Sequence, residues 1–239
     1  MTRVPFPDDR RTRFARQASV QHRWSRPGRR ADPVSYDRLM PRLDSERIVL
    51  LLGGASGVGK SMLSYRLARR LGINLTEIDD LQIAVETATG PADQPLLHFS
   101  RTNVDEYMSW TDEARVEHHV RVCREVFVPV MRAVIADHLE TRTPVVYEGD
   151  FLLPELATMA TYGDEPNDGR VQALFVSEPS EAQIATNYVA REGGAEPERA
   201  RASWLFDAFL RAECYRNGVP VVAARPWDTV VERALAALA

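Results

Sequence analysis

Ile48-Val49-Leu50-Leu51-Leu52-Gly53-Gly54-Ala55-Ser56-Gly57-Val58-Gly59-Lys60-Ser61 is the stretch on which the fold turns. Its first five residues form an unbroken apolar run with no polar alternation. Such a run fits a strand buried on both faces, as in the middle of a parallel sheet. Glycines end it, and from Gly54 the spacing G-x-x-x-x-G-K-S is complete. In that kind of loop, glycine backbone turns N–H groups inward around phosphate oxygens. Ser61–Leu71 follows as a helix, with Leu63, Leu67 and Leu71 on one face and Gly72 as its stop. The start of that helix adds the positive end of its dipole. Strand, loop and helix in this order are what a phosphate loop requires. Gly54, Ala55, Ser56, Gly57, Val58, Gly59, Lys60 and Ser61 are therefore expected to hold the phosphates of a nucleoside triphosphate. Lys60 would sit against the β- and γ-phosphates, and the Ser61 hydroxyl would face Mg²⁺.

Lys60 is the only lysine among the chain's 30 basic residues; all others are arginine. Coding composition accounts for the arginine bias, since Ala, Val and Pro are plentiful too. It does not account for where the exception falls. A compact ammonium fits between two phosphates better than a planar guanidinium does.

Outward from the loop the pattern alternates. Ile73–Ile78 reads as a second strand, with Asp79 and Asp80 at its carboxyl end, and a helix is expected from Asp80 to about Thr87. Residues 88–101, with Gly90, Pro91 and Pro95, read as loop. A long helical stretch over 104–140 has a possible break at Pro129. Pro144–Tyr147 is a third strand, followed at once by Glu148-Gly149-Asp150. Val171–Val176 is a fourth strand, and a helix over 180–191 leads into Gly193-Gly194. A further helix covers 198–216, Val219–Val222 is a fifth strand, and a last helix covers 228–238. Strands alternating with helices predict an α/β fold: a doubly wound, mostly parallel five-stranded sheet with helices on both faces and a small helical lid.

At 239 residues and 44% hydrophobic composition, the chain suits one domain with a real core. Charge is uneven. Residues 1–47 carry 12 Arg against 6 acidic residues, whereas the whole chain has a net charge of −4. Residues 1–43, rich in Arg and Pro, read as a solvated extension, and residues 44–239 as the catalytic domain with a lid around 191–203. Little aromatic interleaving accompanies that basic segment, so nucleic acid is not an expected partner. Cys123 and Cys214 are far apart without a CxxC, which fits a reducing cytoplasm. No apolar run approaches the ~20 residues of a membrane span, and the start lacks a secretory h-region.

Ligands of open α/β sheets bind beyond the carboxyl ends of the strands, so the carboxylates there are the candidates for chemistry. Asp79 is expected as the base that receives the acceptor hydroxyl's proton, with Asp80 as helix cap or metal helper. Glu148 is the expected outer partner of Mg²⁺, with Asp150 in reserve. Arg191, directly before the Gly193-Gly194 hinge, is preferred over Arg199 and Arg201 as the arginine that closes on the transferred phosphoryl group. The acceptor pocket is expected between residues 80 and 125. Asp80, His98, Arg101 and Asp150 are its candidate contacts, and Arg115, His118, His119 and Arg124 lie in the same stretch.

Gly53–Ser61, Leu67-Ala68-Arg69-Arg70-Leu71-Gly72-Ile73, Asp79-Asp80 and Val145–Pro154 together resemble the 2-phosphoglycerate kinase family. More broadly the chain is similar to small P-loop kinases. The resemblance covers about 48–235 and leaves residues 1–43 outside it. It implies ATP- and Mg²⁺-dependent phosphorylation of a hydroxyl on a small molecule, 2-phosphoglycerate or a similar metabolite. It also implies an acceptor contact from the Asp after the second strand and a lid after the fourth. Two other kinds of protein share these motifs: a kinase modifying an antibiotic or nucleoside, and a nucleotide-binding regulatory ATPase with a basic nucleic-acid-binding arm. A regulatory GTPase is excluded, because guanine recognition through Asn-Lys-x-Asp needs a second lysine. Oligomeric state is not fixed by the sequence.

Overall fold

A computed structural model of the chain describes residues 48–194 and 196–239. The expected extension at 1–43 lies outside the described residues. Strand β1 (Val49–Gly53) is buried along its whole length, and Leu51 and Leu52 are fully enclosed. Replacing either by Ala would cost about 2–5 kcal/mol. Helix α1 (Lys60–Leu71) buries Leu63, Leu67 and Leu71, and Gly72 ends it in the left-handed conformation, as the spacing predicts. Strand β2 (Asn74–Glu77) gives way to α2 (Ile78–Ala88) with no loop between them.

The sheet has the order β2-β3-β1-β6-β7, completed by β3 (Val145–Glu148), β6 (Val171–Ser177) and β7 (Val221–Ala223). Every pairing in it is parallel. The chain leaves β1 toward β2 on one side and leaves β3 toward β6 on the other. That divergence opens a crevice at the carboxyl ends of β1 and β3. In register, Leu52 faces Glu148 and Glu77 faces Glu148, so the strand-end carboxylates gather at the crevice. A two-stranded hairpin, β4 (Thr161–Tyr162) with β5 (Glu165–Pro166), lies outside this sheet.

The region between β2 and β3 differs from expectation. Residues 95–101, read as loop, lie in α3 (Pro95–Thr102), because Pro95 sits in the first turn, where its missing N–H costs nothing. The single long helix over 104–140 is instead α4 (Val104–Ser109), α5 (Asp112–Val122), a π-helical turn at Cys123–Phe127 and α6 (Val128–Thr141). The break falls at Trp110, which is extended. Thr111 then caps α5, its hydroxyl accepting from the Ala114 N–H at 3.2 Å. Pro129 causes no break, since it occupies the first turn of α6.

Helix α7 (Glu181–Glu192) ends at Gly193, and α8 (Pro197–Asn217) begins four residues later. Both flanks of the segment expected as a lid are therefore helical. Buried Asp207 anchors α8 to the end of β6, accepting from Ser177 Oγ at 2.9 Å and from the Glu178 N–H at 3.3 Å. Helix α9 (Val230–Ala237) packs on β7 and α1. No helix among the described residues is long and apolar enough to cross a membrane.

Candidate active site

The phosphate loop leaves β1 at Gly53 and enters α1 at Lys60. Gly54 and Gly59 take φ of 142° and 98°. A Cβ on Gly54 would lie 2.4 Å from the Val176 carbonyl oxygen, and one on Gly59 would lie 2.1 Å from the Trp227 ring. Both positions therefore need glycine for conformation and for room. The loop is braced from outside as well. Asn187 Nδ2 of α7 donates to the Gly57 carbonyl at 2.8 Å, and Trp227 backs Gly59.

Lys60 is buried. Its ammonium donates to the Ala55 carbonyl at 3.1 Å and lies 3.8 Å from a Glu148 carboxylate oxygen. Burial raises the Glu148 carboxyl above its ordinary range, while Lys60 and the Ser61 hydroxyl pull it back. Glu148, Lys60 and Ser61 thus form one cluster at the crevice.

Asp79 and Asp80 lie in the first turn of α2, where the helix dipole favours their charge. The helix cap is Glu77, not Asp80, because helix replaces strand two residues earlier than the hydropathy pattern indicates. Asp79 is open to solvent by surface area, yet enough protein surrounds its carboxyl that desolvation raises its pKa. The Asp150 carboxylate raises it further, and Lys60 opposes both. Asp79 therefore shares a field with Lys60 and Asp150. Asp80 bears on Asp79 and on Tyr65, whose hydroxyl donates to Glu77 at 2.5 Å. Among the described residues no group of three His, Cys, Asp or Glu side chains converges as a metal cage.

Beside the loop lies a cavity of about 700 Å³, lined by Ser56 of the loop and by Asp150. Arg115 and His119 of α5 also line it, as does one face of α8 from Arg199 through Ser203 to Phe206. Of the candidate acceptor contacts, Asp150 is on this wall, whereas Asp80, His98 and Arg101 are not, and Asp79 stands near Asp150 rather than on the wall itself. His98 is 3.1 Å from Thr89 Oγ1, and Arg101 pairs with Glu86 at 2.6 Å. These contacts tie α3 to α2 and its carboxyl end. His118 is packed among Phe99, Tyr107 and Trp110, and burial lowers its pKa, as suits a core imidazole. Arg124 pairs with Glu155.

The arginines around the hinge differ in where they lie. Arg191 folds back onto Glu192 and stands 5.2 Å from the Tyr188 ring, off the cavity. Arg199 lies 4.4 Å over the same ring and lines the cavity with Ser56. Glu192 and Glu196 hold it at 2.8 and 3.1 Å. Arg201 faces away, pairing with Glu181 and stacking on Trp204. Tyr107, Tyr188, Phe206, Asn187 and Trp227 were not among the sequence candidates. For Phe206 a signal existed: Arg199, Ser203 and Phe206 recur at helical spacing on one face of α8.

A phosphate loop at the switch point of a parallel five-stranded sheet, with a cavity beside it, defines the P-loop kinase fold. A sugar kinase from Janibacter sp. HTCC2649 shares that fold, with a TM-score of 0.51 and 18% identity over 80% of this chain and 94% of its own. A gluconokinase from Sinorhizobium meliloti 1021 aligns with a TM-score of 0.45 and 24% identity over 80% and 91%. In sequence, the chain resembles the 2-phosphoglycerate kinases of Methanococcus maripaludis strains C6 and C5, each 28% identical over 211 residues. Those alignments take in 81% of this chain and 64% of the relatives' length. No family model matches the chain.

Proposed function

We propose that this chain is an ATP-dependent phosphotransferase that moves the γ-phosphoryl group to a hydroxyl of a small molecule. The observation that carries the reading is one of adjacency: the buried Lys60 loop and the 700 Å³ cavity share Ser56 as a common wall. A donor held by the loop therefore meets an acceptor held in the cavity.

The residues suit a nucleotide triphosphate. The ammonium of Lys60 now rests on a carbonyl and near a carboxylate, and it has further donors to offer phosphate oxygens. The Ser61 hydroxyl and the Glu148 carboxylate are hard oxygen donors of the kind Mg²⁺ takes, and they would hold such an ion. Held there, the ion would supply positive charge against the negative charge that builds up during transfer. Asp79 orients the acceptor hydroxyl and receives its proton as the new O–P bond forms. The bond from the γ-phosphorus to the bridging oxygen breaks, and ADP keeps that oxygen. The raised pKa of Asp79 makes it a better proton acceptor than an ordinary aspartate. Arg199, which lines the same cavity, would stabilise the transferring group once it leaves its two glutamates.

The names of the Methanococcus maripaludis relatives make 2-phosphoglycerate the first acceptor to try. The test is ADP release from Mg·ATP across a panel of alcohols, with Lys60→Ala as control. Acceptor-dependent release that Lys60→Ala abolishes supports the reading, and equal release from that variant sinks it.

A further inference from the structure

The walls of the cavity bear on which alcohol enters, a question that presupposes the phosphotransfer reading. Much of the lining is apolar or aromatic: Tyr107, Val116, Tyr188, Ala202 and Phe206 face it. Its volume, about 700 Å³, lies within the range of sites that enclose drug-sized ligands. A three-carbon acid would touch only a fraction of such a surface.

Charge points the same way. Two cations line the cavity, Arg115 and Arg199, against three carboxylates, Asp150, Glu196 and Glu198. Neither cation is free. Arg115 stands 3.4 Å from Asp112 and 3.8 Å from Glu198, and Arg199 is shared between Glu192 and Glu196. Lys60 is committed to the donor's phosphates. Sites built for phosphate or carboxylate present surplus arginine in forked contacts. Among the described residues this cavity has no such surplus: its two arginines are already shared with acidic side chains, Asp150 adds a further carboxylate, and an acceptor carrying both groups would find no unpaired cation there.

One polar demand is left open. Arg115 Nε is buried without a hydrogen-bond partner among the described residues. A buried donor in that state is destabilising until something accepts from it. With a small shift of the Arg115 side chain, a carbonyl, ether or hydroxyl oxygen on a ligand would do so without bringing charge.

We propose that the acceptor is an uncharged or cationic alcohol built around a flat or apolar ring, with an oxygen set against Arg115, and that it carries neither phosphate nor carboxylate. The ring would lie among Tyr107, Val116 and Phe206, and the reacting hydroxyl would point toward Ser56 and Asp150, the carboxylate whose charge acts on Asp79.

The experiment sets ring-bearing neutral probes (uridine, adenosine and the aryl glucoside salicin) against 2-phosphoglycerate, 3-phosphoglycerate and glycerate. The full chain is used with Mg·ATP, read by ADP release and by phosphorus NMR of the product. Binding of each probe is followed separately by saturation-transfer NMR. The expected result is a kcat/KM at least tenfold higher for the best ring-bearing probe than for any acid. Tyr107→Ala should then raise the KM of that probe about tenfold with kcat changed less than threefold. Phe206→Ala should do the same, provided a thermal shift with Mg·ADP shows it folded; half-buried Tyr107 carries the test if it is not. Preference for an acid overturns the proposal, as does failure of every ring-bearing probe to bind, or a KM indifferent to Tyr107→Ala. If the chain neither binds nor turns over Mg·ATP, the phosphotransferase reading itself falls. Nucleotide turnover with an acid acceptor would leave that reading standing and remove only this one.

Discussion

Replacing Lys60 by Met should make the fold itself sensitive to pH. Lys60 lies 3.8 Å from Glu148, and both are buried. At an effective dielectric of about 20, two unit charges at that separation attract by about 4 kcal/mol. Without the lysine, Glu148 either stays ionised in a poor medium or takes up a proton. Protonation costs about 1.4 kcal/mol for each pH unit above the ordinary carboxyl value of 4.5, which is about 3 kcal/mol at pH 7. The cheaper route sets the loss, so destabilisation should be about 3 kcal/mol at pH 7 and under 1 kcal/mol at pH 5. A carboxyl raised in the folded state contributes its stability at low pH and loses it as pH rises through the folded value. The melting temperature of Lys60→Met should therefore fall away from wild type with increasing pH. At roughly 2–4 °C per kcal/mol for a domain of this size, the gap is about 6–12 °C at pH 7 and about 2 °C at pH 5. Scanning calorimetry without nucleotide between pH 5 and 8 reads this directly. Adding Glu148→Gln to Lys60→Met should flatten the profile. Parallel melting curves for wild type and Lys60→Met across that range would refute the reasoning, as would a double variant that keeps the slope.

Three further outcomes are expected. Asp79→Asn should lower kcat by about 10²-fold or more while Mg·ATP binding, measured by calorimetry, is retained. Because the pKa of Asp79 is raised, the wild-type rate should decline as pH drops through that raised value, and the acid limb should vanish in the Asn variant. Arg199→Ala should cost kcat roughly 10²-fold, whereas Arg191→Ala should change it less than threefold; the reverse order in steady-state kinetics would return the role to Arg191. Removing residues 1–43 should leave acceptor-dependent ADP release within about twofold of the full chain, and a folded but inactive truncation would place that segment in the site.

What could be seen in the sequence divides by how local the signal is. The loop from Gly54 to Ser61 is legible because eight consecutive residues carry the whole geometry. The strand ends are legible because an apolar run followed by an acid marks the sheet's carboxyl edge, and Asp79, Glu148 and Asp150 do gather near Lys60. The acceptor side was harder. His98 and Arg101 stood in the right stretch of chain, but α3 turns them onto Thr89 and Glu86. Arg191 stood next to the hinge, yet one turn of α8 carries Arg199 over Tyr188 instead. Tyr107 and Tyr188 reach the cavity through packing between elements far apart in sequence, which no local spacing encodes. The breaks at Trp110 and at the π-helical turn arise in the same way, since residues 104–140 contain no glycine and only one proline.

The lone ammonium side chain has a practical consequence at the bench. Reagents that acylate amines have a single side chain to attack in all 239 residues, and it lies buried at the nucleotide's seat. Apart from the chain's own α-amino group, any amine modification, slow at a buried side chain, reports on this one position. A bound nucleotide should shield the molecule from such reagents, so mass spectrometry of the intact protein could titrate occupancy without any engineered label.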